Sequence, residues 1–229
     1  MRLLLLSNST TEGYSYLEHA LSYIKSFLKN NVKTVSFIPY AGVTISYDEY
    51  ETKVNKVFKE IGYQIISVHK GNSKEIISKS DAIAVGGGNT FQLLKSIYDN
   101  DLYDLIKKQV EEGKPYIGWS AGSNLACPTI RTTNDMPIVE PPTFKAFNFV
   151  NYQINPHYLD THPTGHHGET REQRILEFIE LNPDVKVVGL REGSIILFEN
   201  NQSLLLGTKS TRIFQKNCDI FELNPGEII

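Results

Sequence analysis

The chain reads as an α/β protein: a mostly parallel sheet with helices on both faces, followed by C-terminal antiparallel hairpins. Three observations predict this. Short apolar runs alternate with longer runs of helical periodicity, the pattern of parallel βαβ units. The apolar runs lack a clean apolar/polar alternation, as expected of strands covered on both faces. After residue 190 the pattern changes to short strand-like runs separated by Asn, Gly and Lys, which suits hairpins.

Strands are expected at 2–7, 34–39, 64–69, 82–85 and 116–118, and helices at 16–29, 47–61, 73–80, 90–100 and 102–112. The first strand holds Leu3 to Leu6 and stops at Ser7-Asn8-Ser9-Thr10. The first helix places Leu17, Ala20, Leu21, Ile24 and Leu28 on one stripe, so it has one buried face. Asn100 and Gly113 supply helix stops. A later helix at 171–181 carries Ile175, Phe178 and Ile179 on one face, and a strand follows at 185–190. The tail strands fall at 194–199, 203–207, 212–215 and 220–223. Residues 127–151 show little pattern and hold four of the ten prolines. So long an irregular stretch in a compact domain calls for a functional reason. There is no internal repeat, low-complexity tract or Pro/Gly/Ser-rich linker, so residues 1–229 are read as one domain.

Composition narrows the class. A chain of 229 residues buries about 70% of its unfolded surface and needs no disulfide or metal staple. With 23 basic and 26 acidic residues the net charge is −3, which argues against a general nucleic-acid binder. Two cysteines, Cys127 and Cys218, are too few for a secreted disulfide scaffold. The N-terminal apolar run spans only Leu3 to Leu6, short of the about 7 to 15 residues of a signal-peptide core. No stretch approaches the roughly 18 apolar residues of a membrane helix. A cytoplasmic protein without membrane or nucleic-acid partners is expected. The oligomeric state stays open, and a monomer is compatible with the sequence.

The most informative segment is Gly118-Trp119-Ser120-Ala121-Gly122. This G-x-S-x-G pentapeptide follows an apolar strand and precedes a helix-compatible run. A nucleophile elbow needs that setting, because the turn leaves the serine hydroxyl exposed above the sheet edge. The bland alternative is a tight βα turn with an incidental serine. A glycine run, Gly86-Gly87-Gly88-Asn89-Thr90, also follows a strand and opens a helix. It fits neither G-x-G-x-x-G, since Phe91 stands at the third glycine position, nor the P-loop, which needs Gly-Lys-Ser/Thr. An oxyanion-binding role fits better, with backbone N–H groups of Gly88 and Ala121 as the two donors. A tight turn without a ligand fits the local sequence equally.

A serine nucleophile needs a base and an orienting acid. His19 lies in a helical stripe and reads as structural, and nothing near His69 recommends it. His157 ends the apolar run Ile154-Asn155-Pro156, at the kind of strand edge where parallel sheets place catalytic groups. It is expected to meet Ser120 on one sheet edge. His162, His166 and His167 follow in a loop, and with His157 and Glu169 they form a possible zinc set. The helical H-E-x-x-H pattern is absent, and no metal is expected. Two acids compete for the third position: Asp135, inside the irregular segment, and Glu192, just after a strand.

Taken together, LLLLSNST at 3–10, IPYAGVT at 38–44, VGGGNTFQLLK at 85–95, YIGWSAGSNLACPTIRTTNDMPIV at 116–139, QINPH at 153–157 and GETREQRI at 168–175 closely resemble the peptidase E family, serine peptidases acting as α-aspartyl dipeptidases. The resemblance covers nearly the whole chain. It implies a fold like that of class I glutamine amidotransferases, with Ser in place of their Cys nucleophile. It also implies hydrolysis of dipeptides that begin with aspartate, without cofactor or metal. Carried over, Ser120 is the nucleophile and His157 the base. Asp135 is the family's usual third functional residue, and the amidotransferase-like geometry suggests Glu192 instead. Both are kept, with Asp135 first; if Glu192 orients the imidazole, Asp135 is free to contact the substrate's amino group. The sequence has Arg191 before Glu192 where the family commonly has Pro. Arg171, ranked ahead of Arg174 and Arg131, and Asn89 are the expected substrate contacts, Arg171 meeting the aspartate carboxylate. Two rival readings keep the fold: a cyanophycinase-like peptidase for β-linked aspartyl peptides, and a non-catalytic binding module.

Overall fold

The computed structural model describes residues 1–29, 31–161, 165 and 167–229. Its strands are β1 (Leu3–Leu6), β2 (Thr34–Ile38), β3 (Gln64–Ser67), β4 (Ala82–Val85), β5 (Tyr116–Trp119), β6 (Gln153–Tyr158), β7 (Val187–Arg191), β8 (Ser194–Glu199), β9 (Gln202–Gly207), β10 (Thr211–Phe214) and β11 (Phe221–Leu223). Its helices are α1 (Leu21–Leu28), α2 (Tyr47–Glu60), α3 (Ser73–Lys79), α4 (Thr90–Asp99), α5 (Tyr103–Glu111), α6 (Ala121–Asn124) and α7 (Arg171–Leu181).

Seven strands form one sheet in the order β3-β2-β4-β5-β1-β8-β9. The first five are parallel, and β8 pairs antiparallel to β1. Both faces are apolar, as the lack of alternation predicts. In β1, Leu3 and Leu5 join the core under α4 and α5, which contribute Leu93, Leu94, Ile97 and Ile106. Leu4 and Leu6 face the other way, into a core with Ile24 and Phe27 of α1 and Val54 and Phe58 of α2. The strand ends that carry chemistry therefore lie between two helical layers, at the C-terminal edge of a parallel sheet.

The second sheet has the order β11-β10-β7-β6. Here β6 and β7 are parallel, and the hairpin β10–β11 continues from β7. The tail thus splits its two hairpins between the sheets: β8–β9 extends the large one and β10–β11 the small one. This corrects the expectation that Ser120 and His157 share one sheet edge. Ser120 follows β5 of the large sheet, whereas His157 lies on β6 of the small one.

Smaller departures have local causes. The expected first helix starts late: Leu17 is left-handed (φ 58°), and a 3-10 turn at Glu18–Ala20 leads into α1. The Leu17 N–H donates to Ser9 O at 2.6 Å, which folds this segment back toward the end of β1. The third strand ends at Ser67, and Val68–Lys70 form a 3-10 turn. Residues 127–151 stay irregular but packed, with Phe147, Phe149 and Val150 in the core.

Candidate active site

Ser120 has φ 53° and ψ −112°, a conformation that L residues adopt only under strain of about 1–3 kcal/mol. The surroundings impose it. The Ser120 N–H is tied to Leu6 O on β1, and its carbonyl accepts from Ser123 and Asn124 at the start of α6. The Ser123 hydroxyl lies 2.7 Å from Leu6 O and 2.8 Å from Gly118 O. A Cβ on Gly122 would stand 2.2 Å from Val85 O, so only glycine lets α6 approach β4 this closely. The strand–turn–helix expected for G-x-S-x-G is present, and it presents the hydroxyl to the cavity.

His157 Nε2 lies 3.0 Å from Ser120 Oγ, and its Nδ1 lies 2.6 Å from Glu192 Oε1. An ionised carboxylate only accepts, so Nδ1 carries the proton and Nε2 is free to accept the serine's. His157 reaches this position through a break in its strand. The β6–β7 register shifts between Pro156 and Tyr158, and His157 has φ 53°. A bulge of this kind turns one side chain out of the strand's alternation.

Side chains from distant parts of the chain hold the bulge and the acid. The Ser7 hydroxyl accepts from the His157 N–H at 2.9 Å and donates to Leu190 O at 2.8 Å. Asn8 Oδ1 accepts from the Gly193 N–H at 2.9 Å, next to Glu192. Asn134 donates to Pro156 O at 2.6 Å. Arg191, which precedes Glu192, forms a bidentate pair with Asp160, three residues after His157, at 2.7 and 2.6 Å. It also pairs with Glu222 at 2.7 Å. Arg191 holds both carboxyls below their ordinary range through charge-assisted hydrogen bonds. The residue that departs from the family's usual proline thus joins the strand ends bearing His157 and Glu192.

Beside Ser120, Gly88 has φ 136°, and a Cβ there would stand 2.2 Å from Ala41 O. The loop is pinned by Asn89 N donating to Ala41 O at 2.8 Å and by Tyr50 OH donating to Gly87 O at 2.9 Å. Neither the Gly88 nor the Ala121 N–H donates to any described group. Two unspent donors beside a nucleophile can stabilise a developing oxyanion.

Asp135, the acid ranked first from sequence, is not bonded to the imidazole. Its Oδ2 accepts from Thr90 N at 2.7 Å, Thr90 Oγ1 at 2.6 Å and Thr133 Oγ1 at 3.0 Å. These bonds seat it on the first turn of α4 and leave Oδ1 open. Asn89 caps the same helix, accepting from Gln92 N at 3.0 Å, and donates to Met136 O at 2.8 Å. Both line a cavity of about 680 Å³ with Ser120 and His157. Arg171, at the start of α7, is half-buried and has no hydrogen bond or ion pair among the described residues. Burial and then Arg174 pull its guanidinium down, and the Asp135 charge opposes them. Arg174 instead pairs with Glu169 at 3.6 Å, and Arg131 lies over the Phe178 ring.

The remaining candidates fall elsewhere. His167 is exposed, and His162 and His166 lie outside the described residues. Among the described residues, the one group spaced for a metal is Asp48, Glu51 and His69. There His69 bonds Asp48 and Ser67, and Lys70 sits on Asp48, so the cluster satisfies itself. Cys127 is buried and pushed up to about 12 by burial, an inert thiol. Sequence reasoning missed Ser7, Asn8 and Asn134 as supports. Ser7 and Asn8 are fully buried, and a polar pair ending an all-leucine strand is the signal that could have found them.

Comparison with known proteins identifies the family and the fold. The model of peptidase family S51 matches residues 3–206. A peptidase E from Nostoc sp. is 51% identical over 93% of this chain and 89% of its own length. A peptidase E from Pasteurella multocida is 46% identical over 96% of this chain and 95% of its own. In fold, the chain is similar to the crystal structure of a peptidase from an acI-B1 Actinobacterium, with a TM-score of 0.69 at 17% identity, covering 100% of this chain and 96% of that one. A family match across most of the chain, joined to close full-length relatives, makes this protein a peptidase of family S51.

Proposed function

We propose that the protein is a serine dipeptidase that hydrolyses dipeptides with an N-terminal aspartate, working as one catalytic domain in the cytoplasm. The observation that carries this reading is the continuous chain from Glu192 through His157 to Ser120, ending beside two unpartnered amides.

Ser120 Oγ attacks the scissile carbonyl as its proton passes to His157 Nε2. Glu192 holds the ring and stabilises the imidazolium. The Gly88 and Ala121 amides receive the oxyanion. Collapse breaks the C–N bond, and His157 protonates the leaving amine. Water, deprotonated by His157, then cleaves the acyl-serine ester and releases aspartate. No step calls for a metal or other cofactor.

Two charges support the preference for aspartate. Asp135 lines the cavity with the hydrogen bonds of its carboxylate, among the described residues, all on Oδ2, and that carboxylate suits the substrate's free ammonium, with Asn89 beside it. Arg171 is not among the residues lining the cavity, but it is unpaired among the described residues and within the field of Asp135, and a guanidinium there suits the aspartate side chain. The irregular segment closes this end of the cavity through Asp135 and Ile138.

The test is release of aspartate from Asp-Leu by the purified protein, with and without EDTA, and with β-Asp-Arg as a control. Activity on Asp-Leu that survives EDTA is expected. Ser120→Ala is expected to lower kcat about 10,000-fold or more. Full activity in that variant, or a preference for β-Asp-Arg, would overturn the reading.

A further inference from the structure

The cavity has a second charged wall that the reaction above leaves unused. Lys53 is the only lysine or arginine lining it, among the described residues. It lies one helical turn beyond Tyr50 on α2, so the two share a face. Tyr50 in turn bonds Gly87 O, one residue before the Gly88 amide. This face of α2 therefore stands beside the oxyanion loop.

Lys53 has no carboxylate within ion-pair distance among the described residues. Its ammonium lies 4.1 Å from the centre of the Tyr16 ring. Tyr16 also lines the cavity through its ring, while its hydroxyl is buried toward Tyr50, Trp119 and Ser9. The Tyr16 ring thus holds a cation that has no carboxylate partner among the described residues at the edge of a substrate cavity, where it can meet an anion.

The placement of charge matches one kind of ligand. Asp135 is seated on α4, which packs on one face of the large sheet. Lys53 belongs to α2, which packs on the opposite face. Ser120 lies at the strand end between them. A dipeptide carries an ammonium on one side of its scissile bond and a carboxylate on the other. The cavity offers an acceptor and a cation in the same arrangement.

We infer that Lys53 binds the free α-carboxylate of the leaving residue and so makes the site selective for peptides two residues long. The inference deepens the dipeptidase reading and rests on it. A longer peptide, or a dipeptide amide, places a neutral amide where the ammonium expects an anion.

The experiment compares kcat/KM for Asp-Leu and Asp-Leu-amide in the wild type and in Lys53→Met and Lys53→Arg. One charge-assisted hydrogen bond predicts a wild-type preference for the acid of about 10- to 100-fold. Lys53→Met is expected to bring that ratio to within about threefold of unity, and Lys53→Arg to retain most of it. The wild-type ratio is expected to shrink as salt is raised, because the ammonium is partly exposed. Equal cleavage of acid and amide by the wild type overturns the inference while leaving the dipeptidase reading intact. So does a parallel loss on both substrates in Lys53→Met. Failure of the wild type to cleave Asp-Leu overturns both.

Discussion

Ser120 stands at the end of β5 in the seven-stranded sheet, while His157 and Glu192 stand at the ends of β6 and β7 in the four-stranded one. The two halves of the site are built differently. On the serine side, backbone packs on backbone, as where Gly122 meets Val85 O and Gly88 meets Ala41 O. On the histidine side, side chains bridge long stretches of sequence: Ser7 to His157, Asn8 to Gly193, Asn134 to Pro156, and Arg191 to Asp160. Close-packed backbone cannot move without collision, so the serine half acts as a fixed reference. The histidine half is brought into register by polar bonds that can be removed one at a time.

Outside Ser120, His157 and Glu192, the largest effect is expected on the rigid side. Gly88→Ala drives a Cβ into Ala41 O and disfavours the positive φ. Displacing one oxyanion donor is expected to lower kcat about 100- to 1,000-fold, with a smaller effect on KM. Steady-state kinetics on Asp-Leu measure this.

Ser7→Ala tests the adjustable side. It strands the buried His157 N–H and Leu190 O. Leaving buried groups unpaired is expected to reduce stability by about 1–3 kcal/mol, read from urea denaturation. A small shift of the imidazole is expected to lower kcat about 10- to 100-fold.

Arg191→Met, at the salt bridges joining the two strand ends, is expected to have the smallest effect. Arg191 depresses both Asp160 and Glu222. Those carboxylates contribute stability above their ordinary values near 4, and the contribution is lost as pH falls through the depressed folded-state values. The wild type is therefore expected to exceed the variant by about 1 kcal/mol at neutral pH, because the acids are partly exposed. The gap is expected to close as pH falls below about 4. Thermal melts across that range measure it, and a gap that widens in acid would contradict the assignment.

Much of this architecture was legible in the sequence, and the illegible part has one physical character. The large sheet followed from periodicity, because strands buried on both faces and helices with one apolar stripe leave local traces. The serine turn followed from Gly118 and Gly122, because close approach demands glycine at fixed spacing. Resemblance to the peptidase E family added the role of His157. Pairing between sheets left no such trace. Nothing local marks β6 as belonging to a second sheet, or His157 as sitting on a bulge. The choice between Asp135 and Glu192 depended on which strand end lies nearest the imidazole, and Thr90 and Thr133 already engage Asp135. Ser7 and Arg191 act on residues 150 and 31 positions away, which no window-based reading joins.

We propose that Glu192 orients the imidazole while Asp135 serves the substrate. The direct measurement is kcat and KM for Asp-Leu in Glu192→Gln and Asp135→Asn, side by side. Glu192→Gln is expected to lower kcat by about 1,000- to 10,000-fold with little change in KM, because the ring loses its tautomer and its counter-charge. Asp135→Asn is expected to act mainly by raising KM. A kcat collapse in Asp135→Asn, with Glu192→Gln close to wild type, would contradict the account.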